Sequence, residues 1–127
     1  MADDIRNKRP LSPHLTIYRP QLTSITSILT RITGNALLLG AFLVSTWFMS
    51  LVISPACFAA VDGFMTSWFG DLIMTASLWA LWYHLLAGAR HLIWDTGHGL
   101  EIETAEMLGW CVIGGSVILT ILTTVIV

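Results

Sequence analysis

Long stretches without charge alternate with short polar segments along this chain. No Lys, Arg, Asp or Glu occurs in residues 32–61, 72–89 or 107–127. The hydrocarbon core of a bilayer is about 30 Å thick, and about 20 helical residues cross it. The pattern therefore predicts three transmembrane helices, whose apolar spans lie at about 32–53, 68–92 and 107–127.

The complete helices are expected to extend beyond these apolar spans. We predict helices at about 24–53, 66–94 and 105–127, in a single membrane-anchor domain of residues 1–127 that begins with an N-terminal segment, 1–23. Residues 54–67 are predicted to be a short loop. Trp68 and Phe69 are expected to anchor one end of the second helix, and Arg90 to extend from its other end toward the headgroups. The predicted fold class is all-α, an integral membrane protein.

Composition agrees with a membrane protein. Hydrophobic residues make up 55% of the chain and charged residues 11%, whereas about a quarter of the residues of a soluble domain are charged. A net charge of −2 and the lack of a separate basic patch give no indication of a nucleic-acid partner. No CxxCH or CxxC motif occurs, which excludes the usual attachment of a c-type haem and the usual cysteine pairs for zinc or an iron–sulfur cluster.

The basic residues predict the orientation in the membrane. Five of the six precede or begin the first span, namely Arg6, Lys8, Arg9, Arg19 and Arg31. Cytoplasmic segments of membrane proteins carry an excess of Lys and Arg. We therefore expect the N-terminus and the 93–106 loop on the cytoplasmic side, and the 54–67 loop and the C-terminus on the periplasmic side. A bacterial inner membrane is the simplest location.

One histidine, His84, lies within the second apolar span. An ionisable residue at that depth needs a partner and is a candidate functional residue by default. Small residues at Ala76, Ala80 and Gly88 share a slowly drifting stripe with it, so another helix or a broad, flat group is expected to approach the imidazole closely. This pattern favours a membrane helix that binds a cofactor.

Spacing along the helix relates His84 to the cytoplasmic edge. It lies about 9 Å inward from Arg90, and His91 lies about 10.5 Å from it on the same face, at 1.5 Å per residue. This separation suits a haem nearly parallel to the helix, with His84 at the iron and His91 or Arg31 near the propionates. The alternative is a histidine that only hydrogen-bonds a neighbouring helix. His14 and His98 lie in interfacial segments and are expected to be ordinary polar residues.

A polar strip marks the start of the first helix. Ser24, Ser27 and Arg31 fall within about one third of its circumference, beside Gly34. Arg31 either anchors the helix among lipid headgroups or, with Ser27, donates hydrogen bonds to an oxygen-rich ligand such as a carbonyl or a propionate.

Two segments of the chain carry a specific resemblance. Residues 84–97, HLLAGARHLIWDTG, and residues 9–34, RPLSPHLTIYRPQLTSITSILTRITG, closely resemble the cytochrome b membrane-anchor subunits of succinate dehydrogenase, respiratory complex II. The motif in residues 84–97 consists of a histidine, a glycine four residues later, an Arg-His pair, and an aspartate four residues after the second histidine. The three-span layout fits the family over the whole chain.

The resemblance implies roles for particular residues. His84 would be an axial ligand of a haem b shared with a second membrane-anchor subunit, which supplies the other ligand. His91 and Arg31 would lie near the haem propionates. Ser27 and Arg31 would form part of a ubiquinone site that is completed by the iron–sulfur subunit and the other anchor. Arg90 and Asp95 match motif positions, for which we expect structural or interfacial roles.

The implied function is electron transfer from succinate to ubiquinone in complex with a flavoprotein and an iron–sulfur subunit. The chain has no flavin motif, cluster cysteines or dicarboxylate site, so alone it would be non-catalytic. Thr30 stands where the family usually has a histidine, so a proton-relay role for that position is not carried over. The alternatives are the anchor of a fumarate reductase and a non-redox structural membrane subunit, whose helix packing small-residue spacings would equally serve.

Overall fold

The computed structural model describes residues 17–126, which form four α-helices and no strand. They are α1 (Leu22–Ile53), α2 (Pro55–Met65), α3 (Trp68–Asp95) and α4 (Ile102–Ile126). Helices α1, α3 and α4 are long and apolar enough to cross a membrane. The predicted all-α class and the three spans are therefore confirmed. The orientation of the termini stays a prediction, and His14 and most of the N-terminal segment lie outside the described residues.

Helix α2 contradicts the predicted 54–67 loop. The side chain of Ser54 accepts a hydrogen bond from the backbone N–H of Cys57 at 3.1 Å, and Pro55 occupies the first turn. Serine before the first turn and proline within it form a standard helix start, and the following alanines favour helix. The hydroxyl satisfies a backbone donor that the first turn would otherwise leave without a partner.

A tight corner connects α2 to α3. The backbone N–H of Gly70 donates to Ser67 Oγ at 3.2 Å, and a Cβ at Gly70 would overlap the carbonyl oxygens of Phe64 and Met65. Only glycine lets the two helices approach this closely. At the other end of α3, Gly97 and Gly99 adopt φ of +80° and +73°, which L side chains rarely adopt, and so turn the chain into α4.

Helix α3 packs against both α1 and α4. Its Tyr83 and Ala87 form a small buried apolar cluster with Val112 of α4. The other buried side chains are largely hydroxyls, each bonded to a carbonyl of its own helix: Thr26, Thr33, Ser50, Ser116 and Thr120. Large apolar residues such as Leu38, Phe42 and Val52 are instead exposed. Small residues inside and large apolar residues outside are typical of helices that pack within lipid.

Candidate functional site

His84 is partly buried on α3 and lies against α1. Its Nδ1 is 3.1 Å from the carbonyl oxygen of Thr30 and 3.5 Å from Thr33 Oγ1. The Thr33 hydroxyl already donates to carbonyls of its own helix, to Leu29 at 2.8 Å and to Thr30 at 3.1 Å. A carbonyl oxygen can only accept a hydrogen bond, and the Thr33 hydroxyl already donates its proton within its own helix. The proton in the contact at Nδ1 must therefore be carried by the imidazole.

This tautomer determines what His84 can bind. A neutral imidazole protonated at Nδ1 carries its free lone pair at Nε2. Within the described chain, the hydrogen bonds of the ring are all at Nδ1. A backbone carbonyl that holds Nδ1–H is the usual outer-shell partner of a metal-binding histidine, since it fixes the ring orientation and raises the basicity of the other nitrogen. The imidazole can therefore donate the lone pair of Nε2 to a metal ion.

Space for the imidazole comes from α1 rather than from α3. A Cβ at Gly34 would lie 3.0 Å from His84 Cε1 and 3.4 Å from Nδ1, so a glycine is needed for this approach. The predicted stripe of small residues on α3 does not form one surface, because Ala80 is buried whereas Ala76 is exposed. Each four-residue step advances about 40° around a helix, so the stripe turns away over three steps. Gly88 of the stripe has open space beside it, with nothing within 4 Å of a Cβ built there.

An apolar groove of about 450 Å³ lies between α1 and α3. It begins about one turn from His84 and Gly34, at Leu81 and Leu37. At its centre a Cβ on Gly40 would lie 3.1 Å from Ser77 Oγ, so the two helices are close there. The other lining residues are Ala41, Val44, Met74 and Leu78. The groove can accept a flat apolar group or an apolar helix.

The remaining predicted site residues lie toward the cytoplasmic ends of α1 and α3 as we orient them. Arg31 is exposed on α1, and Ser27, one turn before it, is partly buried. His91 is exposed on α3, where its ring contacts Trp94 edge to face at 5.2 Å between centroids. No contact described between residues 17 and 126 joins Arg31 or Ser27 to His91. The Tyr18 hydroxyl donates to Ser24 Oγ at 2.7 Å and so holds the preceding segment near the start of α1.

Arg90 departs most from the sequence prediction. Instead of extending to the headgroups, it is 3% exposed, and its Nη1 donates to Thr26 Oγ1 at 3.1 Å. Its guanidinium carbon lies 4.6 Å from the ring centroid of Trp94. Tyr83, which is fully buried, donates its hydroxyl to the carbonyl of Thr26 at 3.1 Å. Sequence reasoning missed this cluster. The seven-residue spacing of Tyr83 and Arg90, two turns on one helix face, was the available signal.

Other predictions concern less central positions. His98 is exposed in the turn after α3, as expected of an ordinary polar residue, with Nδ1 3.1 Å from the carbonyl of Thr96. Thr30, where the family usually has histidine, contributes its backbone carbonyl to His84 and donates its hydroxyl to the Thr26 carbonyl at 2.8 Å.

Comparison with known proteins decides the family. The sequence model of the succinate dehydrogenase/fumarate reductase transmembrane subunits matches residues 5–123. The chain belongs to this family. With its three apolar helices, it is a multi-pass membrane protein.

Named relatives extend over almost the whole chain. It is 54% identical to the succinate dehydrogenase cytochrome b556 subunit of Paracoccus denitrificans, over 99% of this chain and 97% of that one. Identity to the cytochrome b556 subunit of Rickettsia conorii is 40%, over 94% and 93% of the two chains. For the cytochrome b560 subunit of Reclinomonas americana it is 37%, over 93% and 85%. The resemblance seen in the sequence motifs is thereby confirmed.

Proposed function

We propose that this chain is the haem b-binding membrane-anchor subunit of a succinate:ubiquinone oxidoreductase in a bacterial inner membrane. It forms part of the ubiquinone site and docks the flavoprotein and iron–sulfur subunits. Family membership and the names of the relatives support this assignment. The observation that carries it is the 3.1 Å contact between His84 Nδ1 and the Thr30 carbonyl, which leaves Nε2 without a hydrogen-bond partner among the described residues.

The residues around His84 fit a haem. Nε2 would hold the iron, Gly34 leaves room beside the ring, and the open space over Gly88 would admit a broad group between His84 and His91. The adjacent apolar groove suits a porphyrin edge. When bound, haem b supplies a one-electron carrier. This chain offers one imidazole deep within its membrane spans, so a second ligand to the iron would come from a second membrane-anchor subunit.

Ser27 and Arg31 bind the ubiquinone headgroup at the cytoplasmic end of α1. A guanidinium stays charged at any working pH and donates several hydrogen bonds, so Arg31 stabilises negative charge that develops on a quinone oxygen during reduction. Ser27 lies one turn away and donates through its hydroxyl. Arg31 would also lie, with His91, near the haem propionates. Both Arg31 and His91 are exposed in the isolated chain and hence accessible to such ligands.

The exposed surface is consistent with a subunit of a larger membrane assembly. Apolar side chains along the helices, such as Phe42 and Phe48 on α1 and Trp110 on α4, face outward and contact lipid or the second anchor. The cytoplasmic segments, including the turn at residues 96–101 between α3 and α4, dock the soluble subunits. Electrons from succinate reach ubiquinone through those subunits, and this chain positions the quinone for reduction.

An optical spectrum of the purified complex tests the proposal. His84→Ala removes the imidazole, so we expect the b-type α-band to be lost or strongly reduced. His98→Ala, an exposed histidine outside the membrane helices, is the matched control and should leave the band unchanged. A complex that assembles normally and keeps an unaltered band in His84→Ala would refute the assignment of this ligand. A wild-type complex without any b-type band would instead favour a non-redox structural subunit.

A further inference from the structure

Thr26 of α1 accepts two hydrogen bonds from α3. The Tyr83 hydroxyl donates to its carbonyl oxygen and Arg90 Nη1 to its Oγ1, each at 3.1 Å. All three residues are buried, with exposed fractions of 0%, 0% and 3%. Tyr83 and Arg90 are seven residues apart, or about two turns, so they contact α1 from one face of α3. We call Thr26, Tyr83 and Arg90 the Thr26 cluster.

The hydrogen bonds of Thr26 leave its hydroxyl one orientation. Its Oγ1 donates to the Thr23 carbonyl at 3.1 Å, so the oxygen lone pairs are left for Arg90. Its own carbonyl also accepts from the Thr30 hydroxyl at 2.8 Å. A rotation of α1 about its axis, or a shift along it, would therefore break the hydrogen bonds of both the side-chain hydroxyl and the backbone carbonyl of Thr26.

The burial of Arg90 is not explained by a gain in stability. Burying a guanidinium is costly unless its donors are bonded, and Nε has no hydrogen-bond partner among residues 17–126. The face of Trp94 compensates part of the charge. Buried charges are weak evidence for stability but serve to specify one arrangement of packed elements in some proteins.

The cluster lies in the same turns of α1 and α3 as residues of the two proposed sites. On α1, Thr26 directly precedes Ser27 and is followed one turn later by Thr30, whose carbonyl holds His84. On α3, Tyr83 directly precedes His84 in the sequence. The same few turns of the two helices thus carry the quinone residues, the haem ligand and the Thr26 cluster.

We infer that Thr26, Tyr83 and Arg90 are positioning residues that set the rotation and axial register of α1 against α3. In this register Ser27 and Arg31 meet the quinone while the Thr30 carbonyl orients His84. The inference rests on the proposed function. It predicts that a disturbance at Thr26 reaches both sites, although none of the three residues is assigned to bind either ligand.

Two nearly isosteric variants of the whole purified complex test this. Tyr83→Phe removes the bond to the Thr26 carbonyl, and Thr26→Val removes the hydroxyl that accepts from Arg90. Each should raise the KM for ubiquinone about threefold or more, the value of one interhelical hydrogen bond in a membrane, with kcat nearly unchanged. The haem α-band or midpoint potential should shift as well. Dye-linked succinate oxidation should stay at the wild-type rate.

Control variants separate positioning from general damage. Thr46→Val makes the same substitution on α1 at an exposed residue whose hydroxyl bonds only its own helix, and it should change neither readout. Thr26→Ser keeps both acceptors and should resemble wild type. If Thr26→Val prevents assembly, Tyr83→Phe decides, since it removes a single hydroxyl and leaves the ring in place.

A double-mutant cycle adds a sharper criterion. Thr26→Val and Arg90→Gln remove the same hydrogen bond, so the double variant should raise the KM no more than the larger single effect. Normal KM and haem signal in assembled Tyr83→Phe and Thr26→Val complexes would overturn the inference. So would a Thr26→Ser variant as impaired as Thr26→Val. If the haem band of the same preparation depends on His84, such a result refutes the Thr26 cluster alone and leaves the proposed function standing.

Discussion

Helix α3 has two interfaces of different chemistry. Toward α4, Ala87 packs with Val112, and Leu86 lies so close to Gly115 that a Cβ there would be 3.1 Å from its Cδ1. The side-chain hydrogen bond across that interface joins Trp82 Nε1 to Thr123 Oγ1 at 3.1 Å.

Toward α1, α3 makes polar contacts through Tyr83, His84 and Arg90. Interhelical hydrogen bonds in membranes stabilise by only about 0.6 kcal/mol on average, so close packing is the stronger reason for the helices to associate. From this comparison we expect the α3–α4 interface to hold the bundle together and the α1–α3 interface to orient the groups of the proposed sites. Variants on the α1 side should therefore change redox properties, and variants on the α4 side only stability.

Arg31→Leu should give the largest effect. It tests whether the polar strip at the start of α1 also has a functional role. Without the fixed charge, quinone reduction should fall tenfold or more, about 1.4 kcal/mol in the barrier, while succinate oxidation by a dye acceptor is retained. Steady-state assays with the two acceptors measure this. Arg19→Leu, an exposed arginine before α1, is the matched control. Equal loss of both activities would instead indicate failed assembly.

Gly34→Ala should give an intermediate effect. The new methyl would lie 3.0 Å from His84 Cε1, and overpacking of this kind costs about 1–3 kcal/mol. We expect the imidazole to move, the haem α-band to shift and the haem content per complex to fall. Gly114→Ala is the control, since nothing lies within 4 Å of a Cβ there, and it should leave the spectrum unchanged. Identical spectra for the two variants would contradict a tight contact at His84.

Trp82→Phe should give the smallest effect and tests the α4 side. Loss of its bond to Thr123 removes about 0.6 kcal/mol, which lowers the thermal stability of the complex slightly. Thermal unfolding in detergent measures the stability, and the haem spectrum serves as the internal control. A haem shift as large as that of Gly34→Ala would show that the two interfaces do not differ in the way proposed here.

Some features were predictable because they depend on local pattern. Charge-free length predicted the three spans, and the motif around His84 pointed to the family. Helix α2 was equally predictable from Ser54 and Pro55, although an eleven-residue helix is too short to cross a bilayer and so gives no transmembrane signal. Arg90 was misassigned for a different reason. Its position near a helix end is compatible with an outward or an inward side chain, and the choice depends on whether Thr26 lies opposite.

By itself, the sequence determined which segments cross the membrane and which single histidine lies deep within them, since hydropathy and helical rise are properties of one segment. Only the tertiary structure decided that Gly34 gives the imidazole its space, that the Thr30 carbonyl selects the tautomer and that Arg90 turns inward. These depend on how α1 and α3 are rotated against each other. Apolar patterning specifies that rotation poorly in a membrane, because the lipid-facing and buried faces of a helix are both apolar.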